Sequence, residues 1–126
     1  MIKQMRIIAV SGFLAVALAA PRGALAQEVP YDDRLLRLSE ILGSIHFLRN
    51  LCGEKTNVWR DQMQELLAAE NPEPERRARM VASFNHGYRT FSGVYTTCTP
   101  SATDAIARYM EEGEKLARDV VVRFGN

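Results

Sequence analysis

Apolar residues recur along this chain with a helical period. Between positions 81 and 98, Val81, Phe84, Tyr88, Phe91, Tyr95 and Cys98 follow one another at spacings of 3, 4, 3, 4 and 3. At 3.6 residues per turn these positions form one stripe, rich in aromatic rings and closed by a cysteine. A second stripe holds Leu35, Leu38, Ile41, Leu42, Ile45, Leu48 and Cys52, with Asp33, Arg34, Arg37 and Glu40 on the opposite, solvated side. Trp59, Met63, Leu66 and Leu67 make a third. Ala102, Ile106, Tyr109, Gly113, Leu116, Val120 and Phe124 make a fourth, backed by Glu111, Glu112, Glu114, Lys115 and Arg118. No segment alternates with period two, so no sheet is expected; a frayed helix end is preferred to a short strand over Val120–Val122.

Punctuation sets the limits of these helices. The patterns predict helices over residues 32–52, 57–70, 74–98 and 100–123. Asp32 and Asp33 suit the positive end of the first helix, and Gly53 suits its stop because it takes positive φ without steric cost. Thr56 or Asn57 is placed to cap the second helix, which Asn71-Pro72-Glu73-Pro74 ends. Pro74 opens the third helix with Glu73 and Glu75 beside it. Pro100 ends that helix and, with Thr99 as cap, opens the fourth.

Four helices on short links predict an all-α, up-down-up-down four-helix bundle with the aromatic stripe of the third helix as its central seam. In that topology the first and third helices run the same way, which brings Cys52 and Cys98 to one end. The predicted cross-link between these two cysteines therefore agrees with the predicted fold. Gly43, Gly87, Gly93 and Gly113 each weaken a helix interior relative to alanine, and close helix crossing beside bulky rings is preferred over ligand access as their purpose.

The N-terminus adds a compartment. Lys3 and Arg6 precede an apolar run from Ile7 to Ala20, Pro21-Arg22-Gly23 break it, and Ala24-Leu25-Ala26 supplies a small-x-small cleavage pattern. Residues 1–26 thus read as a cleavable signal peptide, and residues 27–126 as one helical domain. The 14 residues of the apolar run span roughly 21 Å as a helix, short of the ~30 Å core of a bilayer, so no stable membrane anchor is expected after cleavage. No Arg-Arg pair marks the twin-arginine route, and no cysteine follows the run to take a lipid. Export to an oxidising compartment favours a disulfide between the two cysteines, which lack CxxC or CxxCH spacing.

Loss of Lys3, Arg6 and Arg22 leaves 13 basic against 15 acidic residues, a net charge of −2. This gives no basic footprint for nucleic acid. His46 and His86, on different helices without HxxxH or HExxH spacing, suggest no metal site, and no serine lies in GxSxG. No catalytic residue and no cofactor is assigned.

Polar residues bordering the stripes are more informative. Arg49 approaches the cysteine end of the first helix, Trp59 and Arg60 begin the second near that end, and Asn85 and Arg89 follow one flank of the third. These five are the candidate binding residues for an anionic or glycan-like ligand, or for a protein surface. The competing structural reading has the arginines capping helix-end carbonyls and packing over Trp59. Asn85 and Arg89, rather than Phe84 or Tyr88, mark the expected functional edge.

The segments LRNLCG, WRDQM and FNHGYRTFSGVYTTCT together resemble a family of small, exported, all-helical alphaproteobacterial proteins of unknown function, over about Asp33 to Phe124. The resemblance implies a periplasmic location and a Gram-negative source. It carries no catalytic assignment; Cys52, Cys98, Trp59, Asn85, Tyr88 and Arg89 are matching positions. The leading expectation is a non-catalytic periplasmic adaptor or regulator acting on cell-envelope proteins through a protein partner. A small-ligand binding module is the alternative, and an enzyme ranks third.

Overall fold

A computed structural model describes the backbone of residues 25–124 and the side chains of residues 32–120. Four helices follow one another, α1 (Leu25–Leu51), α2 (Val58–Glu70), α3 (Pro74–Ser92) and α4 (Pro100–Phe124). The signal peptide expected over residues 1–26 lies outside the described residues except for its last two positions, which open α1. The helix also covers residues upstream of Asp32, Pro30 among them.

α1 is the hub of the bundle. Each of the other helices packs chiefly on it, and from Arg34 to Leu51 none of its residues is exposed. Asp32 meets Arg76 and Arg79 near the start of α3, and Phe47 meets Tyr88 farther along, so α1 and α3 run parallel. Leu48 packs with Ala102, Ala105 and Ile106, whereas Arg37 reaches Glu112, so α4 runs antiparallel. Leu36 and Leu42 pack on one cluster formed by Met63 and Leu67 of α2 with Met80 and Phe84 of α3, and Glu70 at the end of α2 approaches the same Arg76 that holds Asp32, so α2 runs antiparallel to α1. The up-down-up-down order follows.

The central seam therefore belongs to α1 and not, as the aromatic pattern suggested, to α3. The face α3 turns inward carries Met80, Phe84 and Gly87, and leaves Val81 and Tyr88 exposed. The cause is a close crossing. A Cβ on Gly43 would overlap the Phe84 carbonyl, and one on Gly87 would overlap the Glu40 carbonyl and press on the Ser44 hydroxyl. Only hydrogen at both positions lets the two backbones approach this far, and the contact stripe turns toward Gly87. Buried Ser39 and Ser44 satisfy their hydroxyls on α1 itself, donating to the carbonyls of Leu35 and Glu40.

Enclosure of α1 also changes its polar side. Arg37 and Glu40, expected in solvent, are half-buried. Arg37 donates two hydrogen bonds to the Glu112 carboxylate, at 2.8 and 2.9 Å, and its guanidinium lies 5.4 Å from the centre of the Tyr109 ring. This bidentate pair fixes α4 across α1. Phe91 meets the edge of Tyr109 on the same side, with ring centres 5.4 Å apart.

α3 ends at Ser92, six residues before Cys98. Gly93 caps it, its N–H bonding to the Arg89 and Phe91 carbonyls, and Cys98 sits in the link to α4. Cys52 and Cys98 are nonetheless joined in a disulfide, with Cα atoms 4.9 Å apart. Gly53 takes φ of +112°, the left-handed stop expected after the first helix. Asn71 (φ 43°) closes α2 in the same region of backbone space. Thr99 caps α4 as expected, its hydroxyl accepting from the Ala102 N–H at 3.1 Å. At the start of α2, the Asn57 side chain makes no capping bond. The Val58 N–H instead reaches the Thr56 hydroxyl at 3.4 Å.

Candidate functional site

α2 and α3 lean on α1 with a cleft of about 300 Å³ between them. Its polar lining is His46 from α1, Arg60 and Gln64 from α2, and Asn85 and Tyr88 from α3. Met63, Leu67, Val81 and Phe84 supply the apolar part. Arg60 and Gln64 are one helical turn apart, as are Asn85 and Tyr88, so each wall presents two polar groups side by side.

His46 is the least exposed of the polar groups. Its ring lies 6.0 Å from that of Phe84 and 5.8 Å from that of Tyr88, centre to centre. Burial pushes its pKa below the ordinary imidazole value, the positive charge of Arg60 adds to the effect, and Asp61 opposes it. The ring is therefore neutral at pH 7. Asn50 fixes the local backbone, its amide donating to the carbonyls of His46 (2.7 Å) and Thr56 (3.0 Å). The same amide stands 3.4 Å from Nδ1 of His46.

A second depression lies between α2 and α4, which scarcely touch each other. This groove, of about 450 Å³, has Leu38, Ile41, Leu42 and Ile45 of α1 as its floor. Trp59, Leu66 and Ala69 form one wall; Met110, Gly113 and Ala117 form the other. Glu65 and Glu114 stand on opposite walls as its two charged residues. Along α2 it runs roughly 15 Å at 1.5 Å per residue, close to three helical turns.

The five candidate binding residues are thus divided. Arg60 and Asn85 share the cleft, Trp59 belongs to the groove, and Arg89 is exposed and lines neither. Arg49 is committed elsewhere. Its guanidinium pairs with Glu54, which also accepts from the Trp59 indole N–H at 3.2 Å, and it lies 5.8 Å from the centre of the Trp59 ring. Packing of an arginine over Trp59 was one of the two sequence readings; the partner is a carboxylate rather than helix-end carbonyls. Arg49 and Trp59 thus meet across the turn after α1, while Arg60 lines the cleft.

His46, Gln64 and Tyr88 line the cleft in addition to the candidates marked by the sequence. Gln64 had a visible signal, since it lies four residues after Arg60 on the same face of α2. Tyr88 fits the aromatic stripe, which places it in the core, and the crossing at Gly87 turns it outward. His86 is exposed on α3. Among the described residues, no group of three or more His, Cys, Asp and Glu is gathered as a metal site, and no helix is long and apolar enough to cross a membrane.

Helices, cross-link and depressions together define a small all-α bundle with two open depressions, one between α2 and α3 and one between α2 and α4. Residues 30–124 match the family described as "Protein of unknown function (DUF2385)", and the chain belongs to that family. Comparison with curated proteins and with solved structures finds no match.

Proposed function

We propose that this protein is a non-catalytic adaptor of the periplasm of a Gram-negative, alphaproteobacterial cell, exported by a signal peptide removed after Ala26. In this reading it holds an amphipathic helical segment of a cell-envelope protein in the groove between α2 and α4. The groove carries the reading: an apolar floor on the hub helix, lying between two helices that leave each other unpacked. Its length suits about three turns of helix, and helix-in-groove docking is a common use of such a shape. Glu65 and Glu114 face each other across it, which selects a helix with an apolar ridge flanked by lysine or arginine. The disulfide suits the oxidising compartment.

Site-specific photo-cross-linking in the native host tests this. A photoreactive residue at Ala69 or Ala117, both exposed on the groove walls, should join the same partner segment, while one at Glu75 should not. Mass spectrometry should place the cross-link on an apolar helix flanked by basic residues, and Glu65→Lys with Glu114→Lys should abolish it. Absence of a groove-specific cross-link, or a cross-linked segment that is acidic, overturns the reading. The recovered protein should also begin at Gln27.

A further inference from the structure

We propose that the cleft between α2 and α3 is a binding site for a small organic anion, a carboxylate carried on an apolar body. The lining is one-sided in charge. Arg60 is the only charged residue of the lining, and although the neighbouring Asp61 is near enough to act on His46, no carboxylate lines the cleft itself, so the lining offers one cation to one anionic group. Among the described residues Arg60 makes no salt bridge, in contrast to Arg37, Arg49, Arg76 and Arg79, which are all held by acidic partners.

Around that cation the hydrogen-bonding groups are mostly donors or adaptable. The amides of Gln64 and Asn85 approach from opposite walls, and Tyr88 adds a phenol hydroxyl. His46, neutral and set against Phe84 and Tyr88, adds a polar edge without a second charge. A phosphate dianion would call for more cations than this cleft holds.

The apolar part is equally specific. Val81 and Tyr88 are 37% and 38% exposed, two of the few large hydrophobic side chains the core leaves uncovered, and both border this cleft. Met63, Leu67 and Phe84 continue the apolar surface inward. A ligand with a carboxylate alone would leave that surface wet, whereas one with a ring or a short chain would cover it. The volume, about 300 Å³, is at the small end of ligand sites. This site is separate from the α2–α4 groove, and its failure would leave the adaptor reading untouched.

Titration calorimetry of the full mature, disulfide-bonded chain with benzoate and hexanoate as probes tests the site. Benzamide and hexanamide serve as neutral isosteres, acetate as the bare headgroup, and inorganic phosphate as the competing anion. Benzoate or hexanoate should bind at least about tenfold more tightly than its amide or than acetate or phosphate, a difference of about 1.4 kcal/mol. Arg60→Gln should remove that preference while leaving the melting temperature unchanged. In NMR spectra the side-chain amides of Gln64 and Asn85 should shift with the carboxylate. Equal binding of acid and amide, tighter binding of phosphate, an unaltered Arg60→Gln variant, or no binding of any probe would each overturn the proposal.

Discussion

Gly43 and Gly87 form a reciprocal contact at the crossing of α1 and α3. Each occupies the space where the other helix presents a carbonyl three residues earlier in its own chain, that of Phe84 opposite Gly43 and that of Glu40 opposite Gly87. Neither carbonyl can yield without moving a helix. Gly43→Ala and Gly87→Ala should therefore each destabilise the fold by roughly 3 kcal/mol, at the upper end of overpacking costs. Two other glycines provide contrast. A Cβ on Gly113 would lie 3.2 Å from a terminal methyl of Ile41, and one on Gly93 would lie 3.4 Å from the Arg89 carbonyl. Thermal melts should rank Gly43→Ala and Gly87→Ala far below Gly113→Ala, with Gly93→Ala close to the parent protein.

The disulfide should matter as much as the crossing. It closes a loop spanning a sequence separation of 46, worth about 4 kcal/mol in the chain-entropy account. Such a value is a large share of the roughly 5–15 kcal/mol that stabilises a domain. Urea unfolding of the mature chain with and without reductant, and of Cys52→Ser with Cys98→Ser, should show matching losses of this size. Intact mass of protein from its native compartment should lack two hydrogens relative to the reduced chain.

How much of this was legible in the sequence depends on what each residue's position required. Helix identity was written locally: Thr99 and Pro100 open α4, Gly53 closes α1, and Asn71 with Pro72 ends α2, as the residue types demand. The pairing of Cys52 with Cys98 was open to reading because they are the only two cysteines in an exported chain, and the bundle topology agreed with it. Rotation of α3 about its own axis did not, because it is set by the mutual approach of Gly43 and Gly87. Periodicity reports which residues share a face and says nothing of which neighbour that face meets. For this reason the pattern points Tyr88 and Val81 inward, whereas both are exposed. The same ignorance hid the cleft, since its lining comes from three helices whose relative registers no local pattern encodes. On α2, four apolar residues that share one stripe serve two surfaces: Met63 and Leu67 the core, Trp59 the groove, and Leu66 both.

Arg49, Glu54 and Trp59 make a small network across the turn after α1. Glu54 is its centre, pairing with Arg49 and accepting from the indole. Glu54→Gln removes the charge that holds Arg49, but the pair is partly exposed, so the loss should be about 1 kcal/mol or less. The more sensitive readout is Trp59 fluorescence, which should shift and become more readily quenched as the ring is released. A variant with unchanged emission would show that Trp59 is held by the groove wall alone.

Stability should fall in two steps as the solution is acidified. His46 has a folded-state pKa below its ordinary 6.5, chiefly because it is buried and then because Arg60 is near. Above 6.5 both states are neutral and its contribution is complete. Below 6.5 the unfolded chain takes up the proton first, so stability falls until the pH passes the folded-state pKa, and then levels. Glu112 is held below its ordinary 4.5, first by the hydrogen bond from Arg37, so its contribution is complete above 4.5 and is lost as the pH falls through the folded value. Urea midpoints measured downward from neutral pH should show both. His46→Gln should flatten the first step and leave the second, whereas Arg37→Gln should do the reverse. Loss of both steps in either variant would mean that the cleft and the α1–α4 contact respond to acid as one unit.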